Sequence, residues 1–206
     1  MARKTKAETE QTRRLIIDAA RSVFAERGVS HTSLEQIAEA AGVSRGAIYW
    51  HFANKAEIFL ALRDDIAMPI IERFDAQLRD SSGSKDPLVV IEEFLRMHID
   101  LLKTDPAIRQ TFEVMFFKCE YTGEFGATLQ QIVCKTHQIE ERLLEAYTAA
   151  AEKGLLRAGL KPASLARDTY AFLLGVVRLC VGSDENNPLS QSIPGMLGEH
   201  IALRRR

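Results

Sequence analysis

Residues 32–52 read TSLEQIAEAAGVSRGAIYWHF, and the spacing of their apolar side chains decides how the rest of the chain is read. Leu34, Ile37 and Ala38 recur at helical intervals. Thr32, with Glu35 three residues later, fits a capping box that opens this first helix. Gly42 stops it and Ser44 offers a new start, leaving a turn of about three residues before a second short helix. The buried positions of a helix-turn-helix are thus filled in order by Leu34, Ile37, Ala38, Val43, Ile48 and Phe52. Ala38 is small where the two helices must cross closely, and Gly42 can take the positive φ that a tight turn between helices needs.

At 100° per residue, Ile48 and Phe52 share one face of the second helix, and Arg45, Gly46, Tyr49 and Trp50 spread over the opposite side. Exposing two aromatic rings on so short a helix is costly unless a partner covers them. Gly46 weakens the helix by about 1 kcal/mol relative to Ala, which close approach of a partner would explain. A DNA major groove admits such a helix. Arginine can bond guanine through two N–H groups and aromatic rings can touch thymine methyls, so base contact is assigned to Arg45, Gly46, Tyr49 and Trp50. Phosphate contact is assigned to Thr32 and Ser33, at a helix N-terminus, and to Ser44, His51 and Lys55. For His51 and Lys55, plain solvated surface is the competing reading.

Outward from this segment the chain is patterned for helices throughout, and runs alternating with period two are absent, so the fold class expected is all-α. Helix 1 is expected from about Glu10 to Arg27, closed by Gly28. Asn54 caps a long helix that Pro69 should kink or end. Residues 81–84 form the clearest loop. Asp86-Pro87 and Asp105-Pro106 open two more helices, with proline at the first helical position. Further helices are expected over about 127–153, 162–182 and 192–203, roughly nine in all. No internal repeat recurs at a fixed period, which argues against a solenoid.

The 206 residues are 46% hydrophobic and 27% charged, an ordinary composition for a folded globular chain, with a net charge of −1. Residues 1–14 carry Arg3, Lys4, Lys6, Arg13 and Arg14 against Glu8 and Glu10, either a phosphate-seeking arm or a solvated terminus. Cys119, Cys134 and Cys180 are widely separated and no secretory signal precedes them, which fits a reducing cytoplasm. The most apolar run, Tyr170 to Val177, is too short for a membrane span, so no membrane partner is expected. His31, His51, His137 and His200 do not share a metal-ligand spacing, and neither metal nor cofactor is expected. Phosphate loops, nucleophile elbows and His-Glu-x-x-His motifs are missing, so the chain is not expected to be an enzyme.

The stretch from Thr32 to Phe52, followed by Asn54-Lys55, resembles the TetR family of transcriptional repressors. Residues 1–6 and Phe117-Lys118-Cys119-Glu120 further resemble its branch of multidrug efflux pump regulators, the AcrR-like and TtgR-like proteins. The resemblance implies a homodimer with a three-helix DNA-binding module over 1–55 and a six-helix ligand-binding and dimerisation domain over 56–206. It implies a palindromic operator released when a small hydrophobic or aromatic inducer binds. A two-fold dimer would place its recognition helices in successive major grooves about 34 to 36 Å apart.

The same resemblance points to Phe94, His98, Phe112, Phe116, Tyr170, Leu173, Leu174 and Val177 as ligand-binding residues. Aromatic and methionine stripes at helical spacing are plain core more often than a ligand site, and a lone His98 on an apolar face fits a hydrogen-bonded core histidine. For dimerisation, Phe172, Gly175, Val176 and Leu179 with Met196, Leu197 and Ile201 are expected to build a four-helix bundle. Packing within one chain would give the same pattern. The helix after Asn54 is the expected lever between ligand and DNA. Cys119 is either a structural thiol or a redox sensor. Control of a catabolic or biosynthetic operon, or repression without a small molecule, are the competing functions.

Overall fold

A computed structural model describes residues 5–80, 85–183 and 187–206. Arg3 and Lys4 of the basic terminus and the expected loop over 81–84 lie outside the described residues, as does the side chain of Cys134. The described residues form nine α-helices and no strand: α1 Lys6–Arg27, α2 Leu34–Ala40, α3 Arg45–His51, α4 Lys55–Asp80, α5 Pro87–Thr104, α6 Pro106–Phe117, α7 Gly126–Glu152, α8 Pro162–Gly182 and α9 Pro188–Ala202. A short 3-10 turn covers Gly123–Phe125. The all-α architecture expected from the sequence is the observed one.

Local chemistry sets several boundaries differently from expectation. α1 opens at Lys6 rather than Glu10, because Thr5 and Glu8 form a reciprocal capping box. α4 begins where the Asn54 side-chain Oδ1 accepts from the Glu57 N–H at 2.9 Å, and it then runs through Pro69 without ending. α9 starts at Pro188, before the expected Ser192, and likewise carries an internal proline, Pro194.

The chain divides into two compact units. One comprises Met1–Ala67 with Gln110–Ile132, the other Met68–Arg109 with Val133–Arg206. The expected functional division after residue 55 is narrower than this packing division, which adds the start of α4 and a later segment to the helix-turn-helix unit. In that first unit Ile16, Ile17, Ala20 and Phe24 of α1 meet Leu34, Ile37, Ile48 and Phe52, with Phe59 and Leu62 of α4 and Val114 and Phe125 of the later segment. Polar contacts fasten the later segment on. Arg21 is buried, donates to the Thr111 hydroxyl at 3.0 Å and pairs with Asp18 at 2.7 Å, and the Val29 N–H donates to the Lys118 carbonyl at 2.8 Å.

In the second unit, Asp86 caps α5 by accepting from the Leu88 N–H at 2.8 Å, with Pro87 at the first position. α5, α8 and α9 pack on one another. Leu88, Ile91, Phe94, Leu95 and His98 of α5 are buried, and Phe94 stacks on Phe74 with ring centroids 3.8 Å apart. A buried chain of hydrogen bonds runs from Tyr147 through the Thr169 hydroxyl to His200, at 2.7 and 3.0 Å. These links satisfy polar groups that would otherwise cost about 1–3 kcal/mol each. Arg109 donates to the Cys180 carbonyl at 3.1 Å, closing the C-terminal end of α8.

Candidate functional site

The turn between α2 and α3 is built by backbone bonds. The Gly42 N–H donates to the Glu39 carbonyl and the Val43 N–H to that of Ala38, with Gly42 at φ 65°, where an L side chain would be strained. Ser44 then caps α3 by accepting from the Ala47 N–H at 3.1 Å. Ile48 is fully buried and Phe52 nearly so, which anchors one side of α3 and turns the other out. Trp50 is 70% exposed, Tyr49 45%, and the Arg45 side chain 73%. A Cβ added at Gly46 would meet only the Ser44 hydroxyl oxygen, at 4.0 Å. Nothing in the chain itself therefore requires glycine there. The four residues assigned to base contact share one surface.

Of the residues assigned to phosphate, Ser44 is exposed and Ser33 half-buried. Ser33, not Thr32, caps α2, accepting from the Gln36 N–H at 3.2 Å while its own N–H donates to the Gln36 side chain at 2.8 Å. The capping box is therefore one residue later than expected. Thr32 is only 3% exposed and its hydroxyl donates to the Gly28 carbonyl at 2.8 Å, so its side chain is an internal strut rather than a phosphate ligand. His51 is half-buried and meets Trp50 edge to face at 4.6 Å. Lys55 donates to the Val29 carbonyl at 3.2 Å and its ammonium lies 5.9 Å from the Phe125 ring centroid, so it is tied into the unit.

Sequence reasoning missed Glu35 beyond a capping role. Its carboxylate accepts from the Tyr49 hydroxyl at 3.2 Å and pairs with Arg45 at 3.1 Å, while the Arg45 guanidinium sits 5.8 Å from the Tyr49 ring centroid. The Glu35 backbone N–H, then the Tyr49 and Ser33 hydroxyls and the Arg45 charge, hold this carboxyl below the usual carboxylate range against the opposing pull of desolvation. Arg13, which the sequence marks only as part of a basic terminus, lies 5.3 Å from the Phe52 ring centroid.

The residues implied as ligand-binding divide between the units. Phe112 and Phe116 belong to the first, stacked 5.8 Å apart. Phe94, His98, Tyr170, Leu173, Leu174 and Val177 belong to the second. Phe94, His98, Leu173 and Val177 are buried and Tyr170 is half-buried. Leu174 is 38% exposed and sits on the open side of α8, so it does not line the interior of its unit. His98 Nδ1 lies 2.9 Å from the Phe94 carbonyl. A carbonyl only accepts, so Nδ1 carries the proton and Nε2 is left as the acceptor. Burial, opposed by that bond, pushes the imidazole down to about 4, so it is neutral at physiological pH.

The face expected for dimerisation is corrected in part. Val176, Leu197 and Ile201 are buried inside the unit, and Phe172 stacks on His200 at 3.9 Å. The exposed stripe keeps Gly175 and Leu179 of the expected face and adds Ala171 and Leu174 on α8, with Pro194 and Gly195 on α9 and Leu203 just beyond it. Added Cβ atoms at Gly175 and Gly195 would meet nothing within 4 Å, so both glycines leave open room for a partner surface. Cys119 is half-buried, and burial followed by the Glu120 charge raises its thiol to about 11, which disfavours a reactive thiolate. Among the described residues, no cluster of three His, Cys, Asp or Glu side chains could hold a metal, and no helix is long and apolar enough to cross a membrane.

Residues 16–62 match the family of bacterial regulatory proteins of the tetR family, and residues 86–196 match the C-terminal region of MAATS-type transcriptional repressors. The chain is 36% identical over 180 residues to the HTH-type transcriptional regulator TtgR of Pseudomonas putida, covering 86% of this chain and 84% of that protein. It is 40% identical over 130 residues to the regulator AcrR of Shigella flexneri, covering 63% and 60%. Among solved structures, NalD of Pseudomonas aeruginosa, the secondary repressor of the MexAB-OprM multidrug efflux pump, superposes with a TM-score of 0.82 at 28% identity, over 96% of this chain and 98% of that one. The complex of SmeT with triclosan gives 0.83 at 28% identity, over 95% and 92%. SmeT is the repressor of the Stenotrophomonas maltophilia multidrug efflux pump SmeDEF. With matches to both its DNA-binding and its C-terminal regions, the chain belongs to the TetR family of bacterial transcriptional regulators.

Proposed function

We propose that this protein represses a multidrug efflux pump operon in the bacterial cytoplasm, binding a palindromic operator as a homodimer and letting go when a hydrophobic or aromatic inducer binds. The observation that carries the DNA half is the outward face of α3. Arg45, Tyr49 and Trp50 stand exposed over a buried Ile48, around a glycine the fold itself does not need. Arg45, Gly46, Tyr49 and Trp50 read base edges, and Ser33 and Ser44, the N-caps of α2 and α3, with His51 at the end of α3, meet phosphates. The stripe along α8 and α9 supplies the two-fold contact.

The ligand half rests on the likeness to the triclosan complex of SmeT and on the second unit's own chemistry. Phe94, Leu173 and Val177 offer apolar surface, and neutral His98 and Tyr170 offer the few polar groups that orient an aromatic ligand. With Nδ1 committed to Phe94, His98 accepts through Nε2 and favours ligands that donate, such as phenols. Because α4 has residues in both units, its displacement by ligand would oppose operator binding by linkage. Isothermal calorimetry with a phenolic and a small polar compound, paired with operator-binding titrations at saturating ligand, tests the proposal. Preference for the phenol and loss of operator affinity support it. Equal affinity for both compounds, or operator binding indifferent to every ligand bound, refutes it.

A further inference from the structure

Glu35 of α2 is an acidic group beside the face proposed to read DNA, and it is bonded to two of the proposed readers at once. It stands in the first turn of α2, ten and fourteen positions before Arg45 and Tyr49. An exposed ion pair of this kind adds little to folding stability. A carboxylate facing a polyanion is moreover a cost to binding, since each phosphate that approaches Arg45 must compete with it. Its geometry, by contrast, has an evident consequence. The Arg45 guanidinium is held at one edge by Glu35 and lies near the Tyr49 ring, which narrows the rotamers of a long side chain before DNA arrives.

We propose that Glu35 is a positioning residue for sequence discrimination, holding Arg45 and Tyr49 in reading geometry while penalising contacts in which Arg45 finds only phosphate. The inference rests on the assignment of Arg45 and Tyr49 to base contact. A guanidinium has five N–H donors in a fixed fork, so Arg45 can give two to guanine O6 and N7 and keep another on Glu35. On non-specific DNA the same arginine meets a phosphate instead, and Glu35 then opposes the only contact available. Glu35 thus weakens non-specific binding more than operator binding.

The consequence is quantitative. Freeing one cation to neutralise one more phosphate steepens the dependence of log K on log salt by about 0.9, which at about 0.15 M salt amounts to about fivefold in affinity. Glu35→Gln keeps an acceptor for the Tyr49 hydroxyl and removes the charge. The test measures wild type, Glu35→Gln, Arg45→Ala and the double variant by fluorescence anisotropy over a range of salt. The probes are an operator duplex selected from a random pool by the wild-type protein and a scrambled duplex of equal composition.

For Glu35→Gln, non-specific affinity is expected to rise about fivefold with a steeper salt slope, and the ratio of operator to scrambled affinity to fall by a similar factor. In the Arg45→Ala background the same change should alter non-specific affinity less than about twofold, because Glu35 acts through the arginine. An unchanged ratio and slope in Glu35→Gln overturns the inference, and so does an effect that persists undiminished without Arg45. If Arg45→Ala binds the operator as wild type does, it is the assignment of the reading face that fails instead.

Discussion

His98 makes the second unit sensitive to acid in a way that can be worked out from its surroundings. The imidazole is buried, its Nδ1–H is committed to the Phe94 carbonyl, and its ring sits edge to face on Phe94 at 4.4 Å. Burial lowers its pKa from 6.5 to about 4. Between those values the unfolded chain binds a proton that the native state refuses, so native stability falls as pH drops through 6.5 toward 4 and levels off below it. At 1.36 kcal/mol per pKa unit, the full loss is about 3 kcal/mol. His200, lowered to about 4 chiefly by burial and next by the Arg204 charge, acts in the same direction, so the two must be separated. His98→Leu removes only the first titration, and the readout is the change of stability with pH rather than its absolute value. Urea unfolding at several pH values between about 7 and 4 should show wild type losing about 3 kcal/mol more than His98→Leu over that range. Parallel curves for the two proteins would refute the reasoning.

Two further substitutions probe the packing and the assembly. Ile48→Ala empties a fully buried position beneath the proposed reading face, and calorimetric or urea unfolding should register a loss of about 2–5 kcal/mol together with lost operator binding. Leu179→Arg places a charge on the exposed α8 stripe, and sedimentation should show monomers whose helical circular dichroism is unchanged.

The sequence made the helix-turn-helix readable because each of its decisions is local. Gly42 takes the positive φ its type predicts, and the 3.6-residue period separates buried Ile48 from exposed Tyr49 and Trp50. The cap of α2 was ambiguous for an equally local reason. Thr32 and Ser33 are adjacent, and each has a long acidic or amide side chain three residues on. The competition is settled by Thr32 Oγ1 donating to Gly28, a contact fixed by the end of α1. α8 exposes the limit of periodicity, since it is apolar on two sides. Nothing in its pattern tells which of Leu173 and Leu174, or of Val176 and Leu179, turns inward, and packing against α5 and α9 decides it. Of the two outcomes expected at Pro69, a kink or an end, the end does not occur, since the 26-residue α4 continues on both sides of it. Glu35 was invisible as a partner of Arg45 because their contact depends on the crossing of α2 and α3, which spacing alone does not supply.

Whether the exposed face of α3 reads operator DNA, as proposed, is tested by measuring operator affinity for Arg45→Ala and Trp50→Ala at fixed salt. Circular dichroism establishes that each variant is folded. Both side chains are exposed, so the fold should be intact while affinity for the selected operator falls by about 1–3 kcal/mol for Arg45→Ala, with discrimination relaxed at the base it contacts. Operator binding by both variants at wild-type strength and specificity would show that this face does not read the DNA.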